Sequence, residues 1–211
     1  APPAMNEAET THPDGNPGAF DTLVLGIGNV LYADEGFGIR AVEALHQRYA
    51  FPDSVRIMDG GTQGIFLLPW VRSTRRLLIF DAVDFGMKPA TLKLVRGDDV
   101  PCFMGAKKVS MHQAGFQEVL ASADLTGALP AELALVGVQP KLLNDYGGSL
   151  TDAVRDRIDE AVEVACQVLR EWDIEPLHRE KPLSGCEQIG PVALDMREYE
   201  LGRPVVEGGT P

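Results

Sequence analysis

Apolar runs of strand length, alternating with amphipathic helical stretches, are the feature that most restricts how this chain can fold. Thr22-Leu23-Val24-Leu25-Gly26-Ile27 is apolar without interruption and ends in glycines, as a strand buried on both faces does. Asp34 follows as a candidate cap for a helix to about Tyr49, whose Ile39, Val42, Leu45 and Tyr49 recur at three- and four-residue steps. A second strand is predicted over 54–59, stopping at the turn Gly60-Gly61-Thr62-Gln63-Gly64, with a short helical stretch near 65–71. Leu77-Leu78-Ile79-Phe80 reads as a third buried strand closed by Asp81. Residues 91–95 alternate polar and apolar like an edge strand. A helix from His112 to about Ala121, a strand over 133–138 and a helix from about Ser149 or Leu150 complete the pattern. Such β-α-β alternation predicts an α/β fold in three layers, a mostly parallel twisted sheet with helices on both faces. Ligands then gather at the carboxyl ends of the strands.

The two ends of the 211-residue chain break this rhythm. Residues 1–20 are acidic, rich in Pro and Gly and without Lys or Arg, and are expected to form a flexible arm. Residues 173–211 are again rich in Pro and Gly, with only short apolar pieces at 192–194 and 205–206, and are expected to be a tail. The folded unit is placed at 21–172. Nineteen Lys and Arg against 31 Asp and Glu give a net charge of −12, which argues against a nucleic-acid partner. No apolar stretch approaches the ~20 residues of a membrane span, and the N-terminus lacks a basic start followed by an apolar run. Direct membrane insertion is therefore not expected. Cys102, Cys166 and Cys186 are odd in number and lack metal-knuckle spacing, so reduced thiols in a cytoplasmic protein are expected.

Three polar positions mark strand ends or helix starts. Glu35, in the first turn of its helix, is alone well explained as a partner of the helix dipole. Asp81 closes a buried strand, where this architecture places ligands. A lone histidine such as His112 is more often a surface or hydrogen-bonding residue than a ligand. Together, two carboxylates and one imidazole from loops on one rim suit Zn2+ or Ni2+ and leave coordination positions open. The open positions take either a metal-bound water or a metal carried in by a partner. Gly26-Ile27-Gly28 is an incomplete dinucleotide fingerprint, since Leu31 stands where the third glycine belongs. Close backbone packing under the first helix is the preferred reading.

The blocks GIGNVLYADEGFGIRAVEAL, MDGGTQG, LIFDAVD, SMHQAG and LALVGVQP, in this order and spacing, resemble the [NiFe]-hydrogenase maturation endopeptidases over about 22–172. The subgroup serving membrane-bound uptake hydrogenases is the most similar. The resemblance implies a five-stranded sheet with one antiparallel strand, here 91–95. It also implies a metal site of Glu35, Asp81 and His112, and a loop for substrate or metal recognition made of Asp59 and Gly60, Gly61, Thr62, Gln63 and Gly64. Met111 replaces a proline common in the family.

By the same resemblance, the chain is a cytoplasmic endopeptidase, expected to be monomeric, that trims the C-terminal extension of a hydrogenase large-subunit precursor. Nickel already seated in the precursor then licenses cleavage, and zinc or a similar ion can occupy the same ligands. Glu35 and Asp81 are the candidate catalytic carboxylates, but metal contact is assigned ahead of proton abstraction because a carboxylate beside a cation is a weak base. A non-catalytic chaperone that holds the precursor is the alternative.

Overall fold

A computed structural model describes residues 20–106, 111–181, 183, 187–189 and 199, without the side chains of 105, 106 and 111–114. The chain builds β1 (Thr22–Ile27), a 3-10 turn (Ala33–Gly36), α1 (Phe37–Arg48), β2 (Tyr49–Ala50) and β3 (Val55–Gly61). A second 3-10 turn (Gly64–Leu67), α2 (Leu68–Arg72), β4 (Arg76–Ala82), β5 (Leu92–Arg96), α3 (Asp99–Ala106) and α4 (Met111–Leu125) follow. β6 (Glu132–Val138), α5 (Asp152–Arg155), α6 (Ile158–Glu171) and β7 (Leu177–His178) end the described elements. The main sheet has the order β3-β1-β4-β6-β5, parallel throughout except β5, which runs antiparallel to β6. The mostly parallel five-stranded sheet, with its antiparallel strand near 91–95, is thus the one expected.

The continuous apolar strands are buried on both faces because helices cover both. Val24, Leu78, Phe80 and Val136 pack with α1 and α6 on one side, around Phe37, Val42 and Leu169. Leu23, Leu25, Leu77, Ile79 and Leu135 pack on the other with Val71 of α2, Val100 and Met104 of α3, and Phe116 and Leu120 of α4. Alternation along β4 therefore puts Asp81 on the same side of the sheet as Leu77 and Ile79, towards α4.

Three local expectations are corrected. The first helix starts at Phe37, not Asp34, because residues 33–36 tighten into a 3-10 turn and the Asp34 side chain is engaged elsewhere. The last helix is broken into α5 and α6 at Asp156-Arg157. The segment around Cys102 forms α3, where no helix was expected. Beyond residue 172, Ile174 is buried in the core and Leu177-His178 pairs antiparallel with Tyr49-Ala50. Phe20 stacks on Trp70 with ring centroids 5.9 Å apart. Residues 1–19 and the apolar pieces at 192–194 and 205–206 lie outside the described residues. No helix among the described residues is long and apolar enough to cross a membrane.

Candidate functional site

Chain order reverses beside β1: α1 leads from β1 to β3 on one side, and the next crossover returns to β4 on the other. The crevice at the carboxyl ends of β1 and β4 is the switch point where open α/β sheets bind ligands. Both acids flank it. Asp81, fully buried, is the penultimate residue of β4, and its Oδ1 accepts the Ala82 N–H at 2.8 Å. Glu35, 8% exposed, sits in the 3-10 turn after β1.

Backbone contact without side chains between holds Glu35 there. A Cβ at Gly26 would stand 2.5 Å from the Gly38 carbonyl, and one at Gly38 would stand 2.3 Å from the Phe80 carbonyl, next to Asp81. Helix α1 therefore rests directly on the ends of β1 and β4, which is the packing role read for Gly26-Ile27-Gly28. Gly28, at φ +142°, passes beneath the Glu35 carbonyl, and the Asn29 N–H donates to that carbonyl at 3.1 Å. A Cβ at Gly28 would lie 1.9 Å from the same oxygen. Gly28→Ala is accordingly expected to destabilise the fold by about 3 kcal/mol, read by urea unfolding. A loss below about 0.5 kcal/mol contradicts this packing.

Sequence reasoning missed the function of Asp34. Its carboxylate is fully buried and accepts the Lys141 and Leu142 N–H groups, both at 2.9 Å, and the Thr151 N–H at 2.7 Å. The Thr151 hydroxyl donates to it as well, at 2.9 Å. One side chain thus ties the turn carrying Glu35 to both ends of the loop after β6. Tyr32 bridges to Tyr146 and Gly148, and the Ala33 N–H donates to the Gly148 carbonyl at 2.9 Å. Ala33 itself adopts φ +41°, a left-handed conformation that a non-glycine residue holds only when its surroundings enforce it. Apart from the Asp-Glu pair, no local signal marks this arrangement, since the partners lie more than a hundred positions away.

The glycine loop leaves β3 at the same end of the sheet. Asp59 pairs in register with Gly26, and Gly61 with Ile27. Burial raises the Asp59 carboxyl above its ordinary range, opposed by the Gly61 N–H and by Arg40. The Gln63 side chain donates to the Asp59 carbonyl at 3.4 Å. Gly64 takes φ +52°, and a Cβ there would meet Gly115 of α4 at 3.7 Å. The first turns of α4, which include His112, therefore lean on this loop. The His112 imidazole itself is outside the described side chains; of the expected triad, Glu35 and Asp81 lie in the elements that border the crevice.

The hydrogenase maturation protease family model matches residues 39–168, a span that includes Asp59 to Gly64, Asp81 and His112 and begins just after Glu35. The chain belongs to this family. The maturation protease is 54% identical to the hydrogenase expression/formation protein HupD of Bradyrhizobium diazoefficiens, over 85% of this chain and 93% of that one. It is 53% identical to HoxM of Azotobacter vinelandii, over 90% of each. Among solved structures, the hydrogenase maturating endopeptidase HybD from Escherichia coli superposes with a TM-score of 0.72 at 41% identity. That match covers 76% of this chain and 98% of HybD. The maturation protease is accordingly an endopeptidase, with Glu35 in the turn after β1 and Asp81 at the end of β4.

Proposed function

We propose that this endopeptidase removes the C-terminal extension of a nickel-loaded [NiFe]-hydrogenase large-subunit precursor, acting as a monomer in the cytoplasm. Nickel enters as part of the substrate, and Glu35, Asp81 and His112 lend it ligands. The observation that carries this reading is the placement of Glu35 and Asp81, two carboxylates with little or no exposure, on either side of the crevice between β1 and β4. Buried carboxylates are costly unless a cation or hydrogen-bond donors meet them, and two in one crevice suit a divalent ion. An imidazole from the first turn of α4 gives an oxygen-and-nitrogen set with positions left for the substrate's own ligands. Sharing that ion orients the neighbouring peptide bond, and orientation alone can lower a barrier by several kcal/mol. Glu35 or Asp81 is then also within the same crevice to take a proton from the attacking water.

The rim suits a large protein partner. Ile65 and Phe66 after β3, Met87 after β4, and Leu142 and Tyr146 after β6 are all exposed, Phe66 by 77%, at the carboxyl end of the sheet. Exposed apolar groups gathered around one crevice mark a docking face. The test is incubation of the purified full chain with nickel-loaded and nickel-free precursor, followed by mass spectrometry of released peptide. Release from the nickel-loaded form, at least about tenfold faster than from the nickel-free form, is expected. Equal release from both overturns nickel licensing, and stable binding of intact nickel-loaded precursor returns the chain to the chaperone alternative.

A further inference from the structure

The outer edge of β3 borders a groove that the crevice does not account for. β3 is the terminal strand of the sheet, and among the described residues nothing pairs with its outer side. A cavity of about 850 Å3 runs alongside it from Val55 to Gly61, with Trp70 and Gln63 on one wall and His46, Phe51 and Ile189 on the other. That volume falls within the roughly 300–1,000 Å3 of clefts that hold ligands. Uncovered strand edges recruit another strand, and natural proteins usually block them.

The register tells which backbone groups face the groove. Thr22 pairs with Val55, and the Thr22 N–H donates to the Ser54 carbonyl at 3.0 Å. In a parallel ladder alternate residues serve one neighbour, so 54, 56 and 58 bond to β1 while 55, 57 and 59 face outwards. The Val55 N–H is taken up by the Pro52 carbonyl and the Asp59 carbonyl by Gln63. Among the described residues, the Ile57 N–H and carbonyl, the Val55 carbonyl and the Asp59 N–H have no partner and remain for an incoming strand.

We propose that the β3 edge binds the precursor's C-terminal extension as an added antiparallel strand. This rests on the reading of the chain as the protease that trims that extension. The occupant follows from continuity and direction. The groove ends at Asp59, Gly61 and Gln63, in the loop that borders the crevice. β3 lies two strands from β4, about 10 Å across the sheet, which about three extended residues span. The segment released by cleavage begins at the crevice and leads away from it, whereas β3 runs towards it. Chain laid on this edge is therefore antiparallel, with its first few residues crossing the glycine loop. Main-chain pairing supplies affinity in such additions, and alternate side chains meet the two walls.

The experiment begins by sequencing the peptide that the wild-type full chain releases from nickel-loaded precursor. If none is released, the underlying protease reading fails and not this inference alone. A synthetic peptide of the released sequence is then added to the full chain, and amide hydrogen exchange is followed by residue. At least tenfold slower exchange at the Ile57 and Asp59 amides is expected. N-methylation of the peptide at alternate residues should weaken binding about tenfold in one parity and little in the other. Ile57→Pro, which removes an outward N–H and no bond to β1, should raise KM for the precursor about tenfold while kcat is retained. Cleavage by the wild type without protection at Ile57 and Asp59 overturns the inference, as does loss of binding in both parities alike. Slow exchange of both amides in the free chain also overturns it, because the edge is then covered by the chain itself.

Discussion

Asp81→Asn is expected to slow release of the precursor's C-terminal peptide by at least about a hundredfold, with the protein folded as before. The substitution keeps the volume of a fully buried side chain at the end of β4, and a carbonyl oxygen remains to accept the Ala82 N–H. What disappears is the negative charge, and with it most of the attraction for a divalent ion in a site of low dielectric. Gly137 pairs with Asp81 on β6, and the Phe85 ring fills the space where a Cβ of Gly137 would stand, 2.5 Å from it. Peptide release from nickel-loaded precursor, measured alongside a thermal melt, decides the matter. Wild-type release by a normally folded variant would remove Asp81 from the site.

Asp34→Ala acts through the fold instead. The carboxylate satisfies three backbone N–H groups and one hydroxyl, and alanine leaves them facing a void. Each abandoned buried donor costs about 1–3 kcal/mol, so a total loss near 4 kcal/mol is expected after partial relaxation. Asp34→Asn should fall in between, because its NH2 group is turned on donors while one oxygen still accepts. Urea unfolding of the three proteins checks the order. A loss below about 1 kcal/mol for Asp34→Ala would show that water takes over the donors and that the network is not structural. The loop at 140–148 should also exchange its amides faster in both variants, since Asp34 is its anchor at Lys141 and Leu142.

These two acids show what the chain's pattern revealed. Asp81 could be found because four apolar residues define a buried strand and the architecture says where its end must lie. Gly26 and Gly28 could be found for a similar reason: a helix resting closely on the end of a buried strand needs small residues at the crossing. Asp34 read as a helix cap because its true partners are contributed by the loop after β6, more than a hundred residues on. Local pattern carries no trace of such a bond. Helix α3 was hidden by Pro101 and Gly105, both poor helix formers, and it forms where Val100 and Met104 can cover the sheet. Strand β7 is two residues long and exposed, so its pairing with β2 left no periodicity to read. His112 was legible as a residue type at a helix start, while the seating of the α4 backbone against Gly64 through Gly115 leaves no local pattern to read.

The contact of Gly26 and Gly38 has a mechanical consequence. Where helix and sheet meet through side chains, rotamer changes let one layer slide on the other. Bare peptide planes allow no such slip, so the acidic turn ahead of α1 inherits the stiffness of the central strands. Any adjustment on binding then falls to parts of the chain not locked in this way, while the turn that carries Glu35 keeps a fixed address.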